Sequence, residues 1–276
     1  MLGFFLSPGE RVEMGPDYKN WVPRGMVVAL CAGTLLAGVA FAVLGIAGVG
    51  VGGTVRVVLA VVLGLALLGL ALAALWSVTA YRAFSYNGRR QLSRQVVEGV
   101  AAYVTLPAGG TGLDVGCGSG ALTIACAKRN PSARMVGIDR WGREYASYGQ
   151  ALCQRNAQAE GVDSVEFCKG DATRLDFPDE TFDAVTSNYV YHNIPGVAKQ
   201  QLLRETLRVL KKGGCFAIHD LMSPVRYGDM AAFADELRRE GYERVELVDT
   251  TQGQLMEPAE ARRLMLTGST LLVGTK

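Results

Sequence analysis

Two long apolar runs near the start of the chain dominate its pattern of hydrophobic and polar positions. They cover about residues 26–53 and 57–80, and Arg56 between them is the only charged residue in the whole stretch. A helix needs roughly 20 apolar residues to cross the hydrocarbon core of a bilayer, so each run predicts a membrane-spanning helix. Residues 52–56 predict a very short turn, which makes the two helices antiparallel neighbours.

Basic residues flank the outer ends of both runs, whereas the turn carries only Arg56. Lysine and arginine close to membrane helices favour the cytoplasmic side. The bias therefore predicts a cell-membrane protein with two helices, whose two termini and remaining domain are cytoplasmic. The flanking cations are Arg11, Lys19 and Arg24 before the first run, and Arg82, Arg89, Arg90 and Arg94 after the second.

Small residues recur along both runs and permit close contact between helices. The same spacing suits either the hairpin itself or a homodimer formed through it. Two other interpretations stay open: the first run as a signal peptide, although it is long and acids precede it, or both runs as buried helices of a soluble protein. The glycines concerned are Gly45, Gly48, Gly52, Gly64 and Gly69.

From Tyr81 onward, charged residues return and the apolar positions become periodic. The pattern predicts strands separated by helices, and such an alternation forms a parallel sheet with helices on both faces. We therefore predict a segment 1–24, a hairpin 25–80 and an α/β domain 81–276. The predicted strands are 112–115, 134–138, 164–168, 182–187, 215–220, 242–248 and 270–274, and the predicted helices are 90–104, 121–128, 143–159, 199–210 and 257–265.

A glycine-rich loop, Gly116-Cys117-Gly118-Ser119-Gly120, connects the first strand of this domain to a helix. Glycines let the backbone turn tightly and approach a ligand that a side chain would exclude. The loop also fits the dinucleotide fingerprint G-x-G-x-x-G/A, so an NAD-dependent oxidoreductase is one alternative. Asp114 argues against it, because a carboxylate there would repel a pyrophosphate and attract an ammonium group such as that of a methionine moiety.

Two further acids follow the next strands. Asp139 ends the second strand, where a carboxylate can accept hydrogen bonds from two ribose hydroxyls, a feature shared with NAD sites. Asp171 follows the third strand, where it can accept from an exocyclic amine while the next backbone N–H donates to a ring nitrogen. Ligands bind beyond the carboxyl ends of parallel strands, so the loop and the acids predict one nucleoside site. Any single acid would also suit a helix cap.

In these residues the chain resembles the class I S-adenosylmethionine-dependent methyltransferases, and the resemblance covers residues 90–276. It implies a doubly wound, seven-stranded, mostly parallel Rossmann-like sheet in the order 3-2-1-4-5-7-6, and S-adenosylmethionine as the cofactor. The segment 210–214, Leu-Lys-Lys-Gly-Gly, also matches the family and is expected before the fifth strand. The predicted cofactor-binding residues are Asp114, Gly116, Cys117, Gly118, Gly120, Asp139, Arg140, Trp141, Gly170, Asp171, Ala172 and Asn188.

Segments 137–142 and 187–194 look like those of a bacterial group with an N-terminal membrane segment. More loosely, the chain is similar to methyltransferases of quinone, sterol and tocopherol synthesis. Because the predicted hairpin would hold the site close to the bilayer, we expect an enzyme that methylates a small lipid-soluble or membrane-associated acceptor. The alternatives are the same cofactor with a soluble small-molecule or protein acceptor, and a non-catalytic membrane-tethered sensor that binds the cofactor.

Methyl transfer from a sulfonium is an in-line displacement, so a protein chiefly aligns the acceptor, excludes water and, for a protonated acceptor, removes a proton. Tyr189 and His192 follow the fourth strand and Asp220 ends the fifth, which makes these the candidate catalytic residues. His219 and Asp220 point to opposite faces of a strand, so we expect at most one of them to face the site. A structural, hydrogen-bonded histidine is the other role open to His192.

Net charge and cysteine spacing limit the kinds of partner that the sequence predicts. The formal net charge is +2, and no lysine and arginine cluster is interleaved with aromatics, so no nucleic-acid partner is predicted. Six cysteines are scattered without a C-x-x-C pair, so neither a metal site nor a disulfide framework is predicted. The lipid bilayer and a small molecule remain as the expected partners.

Overall fold

The computed structural model describes residues 15–142 and 148–276, which divide into two compact units. Arg11 and the start of the predicted helix 143–159 lie outside the described residues. The second unit joins the predicted hairpin to a piece of chain from near the C-terminus. The first unit contains the residues up to Tyr18 with 97–249 and 268–276, and the second contains 19–96 and 250–267.

Two long apolar helices form most of the second unit. Helix α1 spans Arg24–Ala40 and continues as a π-helical stretch over Phe41–Ile46, and helix α2 spans Gly53–Phe84. Both are long and apolar enough to cross a membrane, and 0% and 6% of their most apolar segments are buried. A helix of a soluble core would bury one apolar face, whereas these helices expose many valines and leucines on the sides that do not contact each other.

The connection between these helices differs from the sequence prediction. Helix α2 begins at Gly53, so the turn covers 47–52 and the predicted turn at 52–56 is wrong. Arg56 lies in the first turn of α2, and its guanidinium donates to the carbonyls of Gly45, at 3.1 Å, and Ile46. The last carbonyls of a helix lack partners within the helix, so this cation completes the end of the first one.

Close contact between the two helices is confirmed at two of the predicted glycines. A Cβ on Gly45 would lie 3.0 Å from the Cα of Ala60, and one on Gly64 would lie 3.3 Å from the ring of Phe41. Among the described residues, no heavy atom lies within 4 Å of a Cβ built on Gly52 or on Gly69. The homodimer through the hairpin stays a prediction.

The first unit is built on a seven-stranded sheet, as the family resemblance implied. Its order is 3-2-1-4-5-7-6, and the seventh strand runs antiparallel to both neighbours while all other pairs are parallel. The order reverses direction between the first and fourth strands, and a crevice forms at such a point. The strands are β1 (Thr111–Val115), β2 (Arg134–Asp139), β3 (Val165–Lys169), β4 (Phe182–Asn188), β5 (Leu210–Leu221), β6 (Arg244–Asp249) and β7 (Ser269–Thr275).

Helices follow most strands, as the alternating pattern predicts. The segment 210–214 lies within β5 instead of before it, with an irregular register opposite Phe182 and Ala184. The α8 helix was missed, although its buried Met230, Phe233, Ala234 and Leu237 have the spacing of an amphipathic helix. The remaining helices are α3 (Leu92–Ala101), α4 (Ala121–Arg129), α5 (Gln150–Ala159), α6 (Lys199–Arg208), α7 (Pro224–Tyr227), α8 (Met230–Arg239) and α9 (Pro258–Arg263), with a 3-10 turn at Tyr191–Asn193.

Candidate cofactor and catalytic site

The glycine loop turns from β1 into α4 at the predicted place. Gly116, Gly118 and Gly120 have φ values of +76°, +56° and +83°, which are costly for other residues. Space also matters, because a Cβ on Gly116 would lie 2.4 Å from a methyl carbon of Val190. The loop therefore requires glycine for its conformation at three positions and for space at Gly116.

Asp139, at the end of β2, holds this loop. Its Oδ2 accepts a hydrogen bond from the amide of Gly118 at 2.9 Å, and its Oδ1 accepts from the amide of Trp141 at 2.7 Å. The indole N–H of Trp141 donates in turn to the Gly118 carbonyl at 2.9 Å. Each carboxylate oxygen has a second lone pair, so Asp139 can orient the loop and still accept from a ligand.

Asp114 lies beneath the loop and is 1% exposed. Its Oδ2 accepts from the hydroxyl of Thr123 at 2.6 Å, and its Oδ1 accepts from the hydroxyl of Thr186 at 2.9 Å. Burial raises the pKa of Asp114 to about 6, although these hydroxyls oppose the shift. A direct contact with an ammonium group stays a prediction, but a buried charge beside the loop attracts a cation.

Asp171 lies beyond β3 in an exposed turn. Its Oδ1 accepts from the amide and the hydroxyl of Thr173, at 2.8 and 2.7 Å. These bonds favour the charged form and lower the pKa of the carboxyl. The adjacent Gly170 lies against β2, because its amide donates to the carbonyl of Asp139 at 3.0 Å and its Cβ would lie 3.0 Å from Ile138. The turn that carries Asp171 is thus hydrogen-bonded through its backbone to the end of β2, where Asp139 lies.

A second cluster lies at the carboxyl ends of β4 and β5. His192 Nδ1 is 2.5 Å from Oδ1 of Asp220, and the amides of Tyr191 and His192 donate to Oδ2 at 2.8 and 3.2 Å. The amide of Leu221 donates to Oδ1 at 2.6 Å. Burial alone raises the pKa of Asp220, but the hydrogen bonds that the carboxylate accepts from His192 and from the backbone outweigh it, so the pKa lies below its ordinary value.

His219 and Asp220 both contact candidate residues, although the sequence predicted that at most one of them would face the site. His219 Nδ1 lies 2.8 Å from Oδ1 of Asn188, and burial lowers the pKa of this histidine to about 4. Because an amide oxygen accepts hydrogen bonds, His219 carries its proton on Nδ1. The NH2 group of Asn188 therefore points away from His219.

Tyr189 has a φ of +55°, which is a strained conformation for an aromatic residue. Its hydroxyl lies 2.6 Å from that of Ser269, and its ring packs on His219 at a centroid distance of 4.6 Å and meets His192 edge-on at 6.1 Å. Burial raises the pKa of the phenol. Tyr189 is therefore suited to donate a hydrogen bond and unsuited to act as a base.

The residues that support the loop from the side could not be predicted from the sequence. Ser119 Oγ donates to the carbonyl of Tyr18 at 3.0 Å, and Asn156 bonds both to the carbonyl of Ser119 and to the backbone of Asp17. The contacts with Tyr18 and Asp17 join positions more than 100 residues apart, and Asn156 and Ser119 are 37 residues apart, so no local pattern reports these contacts. Within residues 15–142 and 148–276 no group of three or more His, Cys, Asp or Glu side chains could hold a metal ion.

Comparison with known proteins identifies this arrangement. Residues 113–218 match a family model described as a methyltransferase domain. This chain contains a class I methyltransferase domain. Domains of this class use S-adenosylmethionine, and the match runs from within β1 to within β5. It includes the glycine loop, all three acids and His192, and it ends two residues before Asp220.

The curated relatives of the methyltransferase domain include enzymes of quinone synthesis. A demethylmenaquinone methyltransferase of Lactobacillus johnsonii is 35% identical over 118 residues, which are 42% of this chain and 46% of the relative. A 2-phytyl-1,4-naphtoquinone methyltransferase of Thermosynechococcus vestitus is 33% identical over 123 residues, which are 44% of this chain and 51% of the relative. The chain spans about half the length of these relatives.

Among solved structures with a similar fold is the [4+2]-cyclase SpnF. It has a TM-score of 0.52 and 20% identity, and the match covers 70% of this chain and 85% of the cyclase. At this identity the likeness concerns the fold alone. Because a cyclase shares the fold, the reaction has to be argued from the site.

Proposed function

We propose that this protein is a membrane-anchored, S-adenosylmethionine-dependent methyltransferase that acts on a small lipid-soluble or membrane-associated acceptor. The observation that carries the proposal is the hydrogen bond between the Asp139 carboxylate, at the end of β2, and the Gly118 amide. Gly118 lies in the loop after β1, the strand that borders the point where the sheet order reverses. This hydrogen bond places a two-oxygen acceptor against a loop that only glycines can form.

The residues present fit the cofactor. The loop has no side chains at Gly116, Gly118 and Gly120, so its backbone amides suit a ligand that approaches the chain closely. Asp139 would accept from the ribose hydroxyls, Asp171 from the adenine amine, and Asp114 would attract the ammonium through its charge. When bound, S-adenosylmethionine supplies an electrophilic methyl group.

His192 and Asp220 support a proton-removing role in the reaction. An ionised carboxylate only accepts hydrogen bonds, so the 2.5 Å contact keeps the proton on Nδ1 of His192 and leaves a lone pair on Nε2. That lone pair can remove a proton from an acceptor hydroxyl as the methyl group is transferred. A phenol or a quinol is an acceptor of this kind.

The hairpin supports a lipid-soluble acceptor. Its two helices expose apolar side chains over a length that suits a bilayer. The relatives named above are a demethylmenaquinone methyltransferase and a 2-phytyl-1,4-naphtoquinone methyltransferase. We infer that the protein is held in the cell membrane with the methyltransferase domain in the cytoplasm. A bilayer would concentrate a hydrophobic acceptor in the vicinity of the enzyme.

Calorimetry with S-adenosylhomocysteine tests the cofactor assignment. We expect the full chain in detergent to bind this compound. Asp139→Asn should lose at least tenfold in affinity, because the hydrogen bond to the Gly118 amide and the acceptor for the ribose are both weakened. Asp163→Asn, which changes an exposed acid away from the loop, should bind as the wild type does. Absence of binding by the wild type would remove the proposal.

Methyl transfer is tested with a reduced, polyprenylated naphthoquinone in the same nanodisc as the protein. Removal of a general base typically costs a factor of about 10² to 10⁴, so His192→Gln should lower kcat by that order while cofactor affinity stays unchanged. A soluble phenol that reacts equally well would favour the soluble-acceptor alternative. Normal turnover by His192→Gln would contradict the proposed role of the pair.

A further inference from the structure

Helix α2 changes character along its length. From Gly53 to Ala73 no residue is buried, whereas Ala74, Ser77, Ala80, Ala83 and Phe84 are. The first part would be about 30 Å long, which is roughly the thickness of a bilayer hydrocarbon core. Packing against protein therefore begins where a bilayer that surrounds the hairpin would end.

The insertion between β6 and β7, residues 250–267, is attached to α2 at this boundary. Trp76 donates its indole N–H to the carbonyl of Arg263 at 3.0 Å. The guanidinium of Arg90 makes two hydrogen bonds with Glu260, at 2.7 and 2.6 Å. Tryptophan is typical of the membrane–water interface, so this attachment places α9 at the depth of the lipid headgroups.

The chain that precedes α1 reaches the same end of the hairpin. Asn20 donates its side-chain amide to the carbonyl of Tyr81 at 2.8 Å, and the rings of Trp21 and Phe84 are 5.1 Å apart. Both ends of the hairpin and the insertion thus meet at one level.

Positive charge is concentrated in this unit. Residues 19–96 and 250–267 together carry nine Lys and Arg and two Asp and Glu, whereas the rest of the chain carries 19 and 24. Glu260 is one of the two acids and is already paired with Arg90. Apart from Arg56 in α2, all of these cations lie near the end of the hairpin that carries the insertion, and those exposed are Arg24, Arg82, Arg89, Arg94, Arg262 and Arg263.

We propose that α9 and the adjoining end of the hairpin form a binding surface for anionic lipid headgroups, with Arg262 and Arg263 as its principal contacts. Met265, an apolar residue with 71% of its surface exposed, lies beside these arginines, and a mixture of cations and exposed apolar side chains is typical of interfacial helices. The inference rests on the proposed membrane anchoring and adds the lipid class. Each arginine near an anionic surface should strengthen the contact roughly fivefold.

Hydrogen exchange of the full chain in nanodiscs tests this surface. The discs contain phosphatidylcholine alone or a mixture with phosphatidylglycerol. We expect the amides of 258–267 to exchange more slowly in the anionic discs, and added salt to reduce the difference. Arg262→Gln with Arg263→Gln should abolish it, because the Arg263 carbonyl that holds Trp76 is retained and only the charge is lost.

The matched control removes two exposed cations from the other unit, by Arg155→Gln with Lys212→Gln, and should keep the full difference. Equal exchange in both discs, or an equal loss in the control, would overturn the inference. Cofactor calorimetry on the same discs separates the two proposals. If the chain inserts and binds cofactor, but residues 258–267 exchange equally with and without phosphatidylglycerol, only the headgroup surface is refuted. A chain that does not insert refutes the anchoring and this inference together.

Discussion

Asp114→Asn tests the electrostatics of the site, because it keeps the shape of the side chain and removes its charge. The carboxyl is buried, and its pKa is about 6 in the folded protein against an ordinary value of 3.8. A folded pKa above the unfolded one means that the unfolded chain releases this proton more readily. The stability contributed by the group is therefore greatest in acid and falls as the pH rises from about 4 to about 6.

The size of this effect on stability follows from the difference of about 2 between the folded and the unfolded pKa of Asp114. At about 1.4 kcal/mol per unit, the ionised carboxyl lowers the free energy of unfolding by about 3 kcal/mol above pH 7. Roughly half of this loss is already present at pH 5, so the variant should gain about 1 kcal/mol on the wild type between pH 5 and pH 8. For a domain of this size that gain is roughly 2 to 4 °C in Tm.

Thermal melts of both proteins in one detergent, at pH 5 and at pH 8, measure this gain. Asp183→Asn is the matched control with the opposite sign. Burial alone raises the pKa of Asp183, but its bonds with Lys211 and the Thr111 amide outweigh this and lower it, so removing that charge should cost stability at pH 8. A Tm difference between Asp114→Asn and the wild type that does not change with pH would refute the reasoning.

Cofactor binding should respond in the opposite direction. The wild type should bind S-adenosylmethionine more tightly as Asp114 ionises around pH 6, whereas Asp114→Asn should bind weakly at every pH. The loss should be larger for S-adenosylmethionine than for S-adenosylhomocysteine, which lacks the sulfonium charge. Calorimetry with both compounds at pH 5 and pH 8 measures this, and equal affinities for variant and wild type at pH 8 would contradict it.

Three further substitutions probe particular contacts. Thr123→Val removes a hydroxyl from Asp114, so it should destabilise by about 1 to 3 kcal/mol at pH 8 and by less at pH 5, as melts at the two pH values would show. Gly116→Ala should lower both Tm and cofactor affinity, and Val190→Ala in the same chain should recover only part of the loss, since it relieves the clash but not the positive φ. Gly45→Leu should separate the two hairpin helices, which a cross-link introduced between them would detect; unchanged cross-linking would contradict the observed packing.

Local periodicity was sufficient to predict most of the sheet, because each strand and its following helix have their own hydrophobic spacing. The errors occur where a distant contact decides the local structure. Arg56 looked like part of a turn because it is charged and follows glycines, but its side chain reaches back to the first helix and so permits α2 to begin at Gly53. The segment 210–214 looked like a turn because of its two glycines, but it pairs irregularly with β4.

The candidate site shows the same division. The positions of Asp114, Asp139 and Asp171 at strand ends could be predicted, since the topology brings the carboxyl ends of parallel strands to one edge. Their partners could not. Thr186 is 72 residues from the acid that it contacts, and Asp220 is 28 residues from His192, so only the folded register determines these bonds.

The acids of the glycine-loop site differ in how much their ionisation lowers the stability of the fold, and this difference discriminates between ligands. Asp171 is exposed, and its carboxylate accepts hydrogen bonds from Thr173, so its ionisation does not lower the stability of the fold. The charge of Asp114 lowers stability by about 3 kcal/mol at neutral pH, although a neutral amide would fill the same space. A pyrophosphate at this loop would add repulsion to that cost. A cationic sulfonium with an ammonium group would offset it, which is the physical reason to assign this loop to S-adenosylmethionine and not to a dinucleotide.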